Sequence, residues 1–329
     1  MIRRQLIMLL GSAAVAWPLA ARAQQPRMPV IGFLNFGSPS RGLPTGVAFR
    51  QSLAEAGYVV GTTMAMELRW ANYQNPLLPR LAAELVDRQV DVIVTTGSPY
   101  AVLAMKAATS TIPIVFMTGS DPVKHGMVSS LSRPGGNVTG VHVYSTELAA
   151  KRLELLRELV PQATRIGYLS GPSESPVFDE MKSDMLEAGR ALGREIVVLE
   201  VRNLNFEAAF ATLVEQRAAA LIVGNYTIFG NAANRGKILE LAARHKIPAI
   251  YARREDAVSG GLMSYDADSV AAFRLLGNYA GRILKGAKPA DLPVQQSTKF
   301  DLFINRKTAK ALGLSIPRIL LATATELID

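Results

Sequence analysis

From residue 30 onward, short apolar runs rich in β-branched side chains alternate with longer stretches whose apolar residues recur every third or fourth position. Runs of the first kind read as buried strands, and stretches of the second as amphipathic helices. Strands are expected at 30–34, 64–70, 91–95 and 113–116, with helices at 47–56, 76–88 and 100–108. After a helix at 152–159 a second series follows, with strands at 165–169, 195–201, 220–223 and 248–252 and helices at 178–192, 207–217 and 233–245. Such alternation, with nearly continuous apolar strands, predicts an α/β protein built on parallel sheets covered on both faces.

The two series echo each other. Asp91-Val92-Ile93-Val94-Thr95 leads through a helix to Ile112-Pro113-Ile114-Val115, and Ala220-Leu221-Ile222-Val223-Gly224 leads to Ile247-Pro248-Ala249-Ile250. This weak repeat predicts two doubly wound lobes of one architecture. Beyond a strand at 262–265 come a helix at 269–284, a Pro-punctuated stretch at 286–293, a strand at 299–304 and a helix at 306–312. These elements are expected to be shared between the lobes, the first taking 28–143 with 265–293 and the second 144–264 with 294–329. The chain then crosses three times, and a hinge of several strands permits clamshell closure.

Residues 1–23 stand apart from this pattern. Met1-Ile2-Arg3-Arg4, an apolar run at 6–15 and a small-x-small end at Ala21-Arg22-Ala23 have the order of a removable export signal cleaved near Ala23. The run is shorter than the roughly 20 residues of a membrane span, and Gly11, Ser12 and Pro18 break it. Arg3-Arg4 also resembles a twin-arginine signal, so either the general or the folded-protein export route fits.

Composition narrows the function classes. There are no cysteines, which excludes disulfides, thiol catalysis and zinc-thiolate sites. The formal net charge of +9 falls to +6 once Arg3, Arg4 and Arg22 leave with the signal. The remaining charges are dispersed rather than clustered with aromatic residues, as a solvated surface requires and a nucleic-acid interface does not. No dinucleotide or P-loop fingerprint occurs, Gly97-Ser98-Pro99 is not a nucleophile elbow, and His125, His142 and His245 lack a triad or metal-ligand setting. Asn137-Val138-Thr139 reads as a turn. The expectation is therefore a monomer that binds a small molecule without catalytic residues, cofactor or metal.

In doubly wound sheets a ligand sits beyond the carboxyl ends of the strands. The residues there are Asn35-Phe36-Gly37-Ser38, Thr96-Gly97-Ser98-Pro99-Tyr100, Thr118-Gly119-Ser120-Asp121-Pro122, Gly224-Asn225-Tyr226-Thr227, Arg253-Arg254-Glu255-Asp256 and Tyr265-Asp266. Ser98 is a favoured N-cap and Pro99 a favoured first helical residue, an arrangement expected to leave the amides of Tyr100 and Ala101 for an anion. Asp121 has two readings, as cap of the turn that Pro122 opens or as ligand contact. Asp266 lacks a following Pro, which favours the second.

The stretches Asp121-Pro122-Val123, Ser132-Arg133-Pro134-Gly135-Gly136-Asn137-Val138-Thr139-Gly140, Lys285-Gly286-Ala287-Lys288-Pro289-Ala290-Asp291 and the run 304–313 resemble the ABC transporter substrate-binding family typified by a tryptophan-binding lipoprotein. The resemblance spans the chain after residue 23. It implies a periplasmic-binding-protein fold of type I, delivery of a solute to an inner-membrane permease, and a host with a periplasm. Carried over by position, it implies ligand contacts from Phe36, Ser38, Ser98, Pro99, Tyr100, Ala101, Asp121, Asn225, Tyr226 and Asp266. Members resembling amino-acid binders carry Asp where this chain has Asn225, which keeps hydrogen bonding but drops the charge. Lipoprotein members carry a cysteine after the signal, so this chain is expected to be free of a lipid anchor. The same fold fits a ligand sensor for a signalling partner, and Ser98 or a carboxylate pair leaves an exported hydrolase as a third reading.

Overall fold

The computed structural model describes residues 27–39, 44–143, 148–171 and 176–329. The expected export signal lies outside the described residues.

The first lobe runs β1 (Val30–Asn35), α1 (Pro44–Glu55), β2 (Ala65–Trp70), α2 (Leu78–Asp87), β3 (Val92–Thr96), α3 (Pro99–Ala108), β4 (Ile114–Thr118) and β5 (Val138–His142). The second runs α4 (Leu148–Leu159), β6 (Arg165–Ser170), α5 (Pro176–Ala191), β7 (Glu195–Glu200), α6 (Phe206–Glu215), β8 (Ala220–Val223), α7 (Ala232–Arg244), β9 (Ala249–Tyr251), α8 (Arg254–Val258) and β10 (Met263–Ala267). The chain returns to the first lobe for α9 (Ser269–Leu284) and β11 (Gln295–Gln296). It ends in the second with β12 (Phe300–Asn305), α10 (Arg306–Ala311), α11 (Arg318–Thr323) and β13 (Glu326–Ile328). Strand order is β11-β5-β4-β3-β1-β2 in the first sheet and β13-β12-β10-β9-β8-β6-β7 in the second.

Period-two alternation divides the first lobe into two cores. Ile31, Phe33, Val92, Val94 and Val115 face α1 and α9, whereas Leu34, Ile93, Ile114 and Phe116 face α2 and α3. Helix α9 can lie this close to α1 because Gly277 has no side chain; a Cβ there would stand 2.6 Å from the Phe49 carbonyl oxygen. The second lobe packs around one continuous core that includes Leu153, Tyr168, Phe210, Ile222 and Ile250.

Two expectations need correction. Val138 and Thr139 open strand β5 rather than a turn: β5 is buried throughout and pairs with β4, and Thr139 Oγ1 donates to Leu292 O at 2.6 Å. Asn137 alone keeps a turn-like role, its Nδ2 donating to Ile112 O at 2.7 Å. Residues 265–267, expected in the first lobe, stay in the second sheet. There β10 pairs antiparallel with β12 and puts Asp266 opposite Asp301. Likewise β11, expected in the second lobe, pairs with β5 in the first sheet. Hydrogen-bonded pairing, which apolar periodicity does not report, sets both crossing points.

Candidate functional site

The carboxyl ends of β1, β3 and β4 form one wall of the interlobe cleft. Asn35 ties two of its loops together, donating from Nδ2 to Thr96 Oγ1 at 2.7 Å and accepting the Gly37 amide on Oδ1 at 2.6 Å. Phe36 is buried and meets Tyr73 edge-on, centroids 6.1 Å apart, while Ser38 is half-buried. Gly97 turns with φ +89°, a left-handed conformation that glycine adopts without strain. It brings the α3 start against Phe36.

Ser98 caps α3 as its type predicts, but the amides of Tyr100 and Ala101 are not left for an anion. In its extended conformation (φ −159°, ψ 138°) Ser98 accepts the Tyr100 amide on Oγ at 3.2 Å and the Ala101 amide on its carbonyl, also at 3.2 Å. Pro99 occupies the first helical position, and the Ala101 side chain is buried. Asp121 likewise serves its own turn, Oδ1 accepting the amides of Val123 at 2.8 Å and Lys124 at 3.1 Å. Burial works against its charge, but the two amides, with His142 and His125 nearby, outweigh it and hold the carboxyl below the usual range. This wall is therefore neutral and self-satisfied, apart from Asp121 at its rim.

The opposite wall carries buried charge. Arg152 sits on the inner stripe of α4 with Ala149, Leu153 and Leu156, its side chain only 2% exposed. Its Nε donates to Tyr265 O at 2.8 Å and its Nη2 to Asp266 Oδ1 at 3.3 Å. Asp266 Oδ1 also accepts the Ala267 amide at 2.9 Å, and Oδ2 accepts Asn225 Nδ2 at 3.3 Å. Burial pushes the Asp266 carboxyl above its usual range, and the Arg152 guanidinium limits the rise. A small cavity between α4, α5 and β8 exposes Arg152 and Asn225 together with Tyr168, Met181 and Met185.

Tyr226, expected to cover a ligand, has its ring in the lobe core. It is 2% exposed, packs over the side-chain-free faces of Gly171 and Gly224, and meets Phe229 at 5.2 Å. Its carbonyl accepts Arg253 Nη2 at 3.0 Å. Beneath it, Asp256 is 4% exposed and takes the Arg253 amide on Oδ2 at 3.2 Å. Burial pushes Asp256 up to about 6 against the pull of Arg253 and Arg235.

Among the described residues, side chains join the walls at two places. Thr227 Oγ1 donates to Gly97 O at 2.7 Å, joining the Asn225–Thr227 loop to the start of α3. At the other rim Glu180 on α5 pairs with Lys124, and its Oε2 lies 3.0 Å from His125 Nε2. The structure thus joins the start of α3 to the loop carrying Asn225, and places Asp121 beside the second rim contact.

Residues 43–328 match the family described as ABC transporter substrate binding protein. The chain belongs to this family. It is 29% identical over 268 residues to the tyrosine-binding protein of Clostridioides difficile strain R20291, covering 81% of this chain and 75% of that one. A solved ABC domain from Streptococcus pneumonia in complex with L-Trp superposes with a TM-score of 0.80 at 26% identity, over 91% of this chain and 99% of that one. A conserved domain protein of Vibrio cholerae gives a TM-score of 0.78 at 26% identity, over 92% and 100%. The two-lobed fold is that of type I periplasmic binding proteins.

Within this substrate-binding protein, neighbouring groups account for two of the three histidines. His245 closes α7 and stacks on Phe210 at 6.1 Å, and His125 faces Glu180. Among the described residues no three His, Asp or Glu side chains gather as a metal site, and no helix is long and apolar enough to cross a membrane. Sequence reasoning missed Arg152 and, although it placed Thr227 in a strand-end loop, the bond from Thr227 to the other lobe. Arg152 left a readable signal, a charged residue on the apolar stripe 149, 152, 153, 156 of an amphipathic helix. Thr227 left none, since its partner is a backbone carbonyl 130 residues away.

Proposed function

We propose that this substrate-binding protein takes up an aromatic amino acid in its interlobe cleft and delivers it to an ABC permease, without chemistry on the ligand. One observation carries the reading. The Asp266 carboxylate is fixed by Arg152 and Asn225, and the loop that carries Asn225 bonds to the start of α3 through Thr227. A carboxylate has about four acceptor sites, three of which are occupied here, by Arg152, Asn225 and the Ala267 amide. The remaining acceptor suits an α-ammonium, and Asn225 Oδ1 supports it. The tyrosine and L-Trp named for the relatives supply the class. Phe36 and Tyr100 cover the ring, Ser38, Ser98 and Asp121 offer polar contacts, and Tyr226 backs the wall from behind. A ligand carboxylate would compete with Ser98 for the Tyr100 amide. The leader at 1–23 would place the monomeric protein in the periplasm.

Micromolar affinity requires about 8 kcal/mol, so enclosure between the lobes must supply more than any single contact. Calorimetry of refolded, ligand-free protein against amino acids, their deaminated analogues, nucleosides and small sugars tests the reading. L-tryptophan or L-tyrosine should bind at micromolar affinity or better, and indole-3-propionate, which lacks the ammonium, should bind at least about thirty-fold more weakly than L-tryptophan. Binding of a sugar or nucleoside with no response to any amino acid would overturn it.

A further inference from the structure

Among the described residues Arg152 is the only buried Lys or Arg. Removing a guanidinium from water is costly unless its partners are well placed, yet the pair it makes is uneven. The Arg152 side chain is 2% exposed and Asp266 is 23% exposed. The cation is almost wholly withdrawn from solvent, reaching only the small cavity beside Asn225, and the anion is the more exposed partner. A pair serving only the core would bury both ends.

We propose that Arg152 is a positioning residue for ligand binding: from behind the cleft wall it fixes Asp266 in one orientation as a charged acceptor for the ammonium of the ligand. The inference rests on the amino-acid reading given above. The fork geometry supports it, since Nε is anchored on Tyr265 O and leaves Nη2 for the carboxylate of the next residue. So does the setting of Asp266, which burial drives toward its neutral form and Arg152 draws back. A neutral carboxyl would present a hydroxyl where an ammonium needs an acceptor.

Other charged groups surround the pair, and none substitutes for Arg152. Arg253 and Glu255 lie near Asp266 with opposite effects, Arg253 being committed to Tyr226 O. Tyr168 on β6 and Tyr265 lie beside the guanidinium. Lys151, the preceding residue on α4, is paired with Glu154. Asp301, opposite Asp266 on β12, takes Thr325 Oγ1 at 3.1 Å and lies 3.8 Å from Lys299.

Two measurements on the full chain test the assignment. The first is the titration of the Asp266 carboxyl by carbon-13 NMR in ligand-free protein, assigned through Asp266→Asn. The second is the calorimetric Kd for L-tryptophan and L-tyrosine between pH 5 and 8. In Arg152→Gln the Asp266 midpoint should rise by about one unit or more. Ligand affinity at neutral pH should fall about ten-fold or more, the factor for one lost charge-assisted contact, and the deficit should shrink as pH rises. Arg152→Lys, which keeps the charge without the fork, should retain the wild-type midpoint and recover part of the affinity; it carries the test if Arg152→Gln does not fold. An unchanged midpoint in Arg152→Gln, a pH-independent loss of affinity, or a midpoint a full unit higher in Arg152→Lys would overturn the proposal. If wild-type protein binds neither amino acid, the ligand reading fails, and the NMR titration still decides what Arg152 does to Asp266.

Discussion

The two walls of the cleft each place a carboxylate near the end of a strand, Asp121 just past β4 and Asp266 in the last residues of β10, and use it in opposite ways. On the first lobe Asp121 bonds to the amides of Val123 and Lys124, and Ser98 does the same for Tyr100, so the wall's polar groups largely satisfy its own backbone. On the second lobe Asp266 is held by a buried arginine from another element and by the side chain of Asn225. One wall is a set of caps, rigid and nearly neutral. Its counterpart keeps charge out of water, at an energetic cost. The difference teaches that a polar residue at a strand end is informative only once its nearest amides are counted.

That contrast can be broken in three places, beginning where the effect should be largest. Asp256 belongs to the charged wall, and burial raises its carboxyl to about 6 from an ordinary value of 3.8. Between those values the folded chain binds a proton that the unfolded chain does not, so its contribution is fully present below pH 3.8 and is lost as pH rises from there through about 6. Comparing Asp256→Asn with wild type by urea unfolding, the variant should gain on the order of 2 kcal/mol at pH 7.5 relative to its standing at pH 4. A parallel pair of pH profiles would show that the second wall carries no such burden.

On the capped wall the effect should be smaller and independent of pH. Ser98→Ala removes the cap of α3 and should lower stability by about 1 kcal/mol, measured as a shift in the urea midpoint with unchanged slope. The same variant separates binding from hydrolysis: an esterase activity that disappeared with Ser98 would restore the hydrolase reading. Smallest of all is the rim contact between Glu180 and the Lys124-His125 pair. Glu180→Gln should weaken ligand binding by no more than about five-fold, with a deficit that fades at high salt. A much larger loss would mean that the rim, and not the two walls, sets the closed state.

Much of the fold was legible in the sequence because it follows from periodicity. The expected strands at 30–34, 91–95 and 220–223 fall within a residue of β1, β3 and β8, and the two-series repeat becomes two sheets. Strand β5 was missed because Val138-Thr139-Gly140 carries a glycine and follows a Gly-Gly turn; Gly140 is there because a Cβ would stand 2.1 Å from Phe116 O. The crossing points were misplaced because strand pairing is long-range. At the site, Asp266 was singled out by the absence of a following proline, and its carboxylate is held by Arg152, Asn225 and the Ala267 amide rather than by a helix start. The free amides of Tyr100 and Ala101 were an overreading, since a cap that satisfies its own helix has the same local sequence as an anion site. Tyr226 was misjudged because its place in the core depends on Gly171, 55 residues away.

The discontinuity of the first lobe bears on the order in which the molecule is made. Its second core face is completed by Leu276, Tyr279, Ile283 and Leu292, and its sheet edge by β11, all of which leave the ribosome after the whole first series of strands and almost the whole of the second. The lobe synthesised first is therefore among the last to be finished. The core face against α1 stays without Ala272, Leu276, Tyr279, Ala280, Ile283 and Leu292 until about nine-tenths of the chain has emerged. The arrival of α9 is thus the step at which the first lobe commits to its final form.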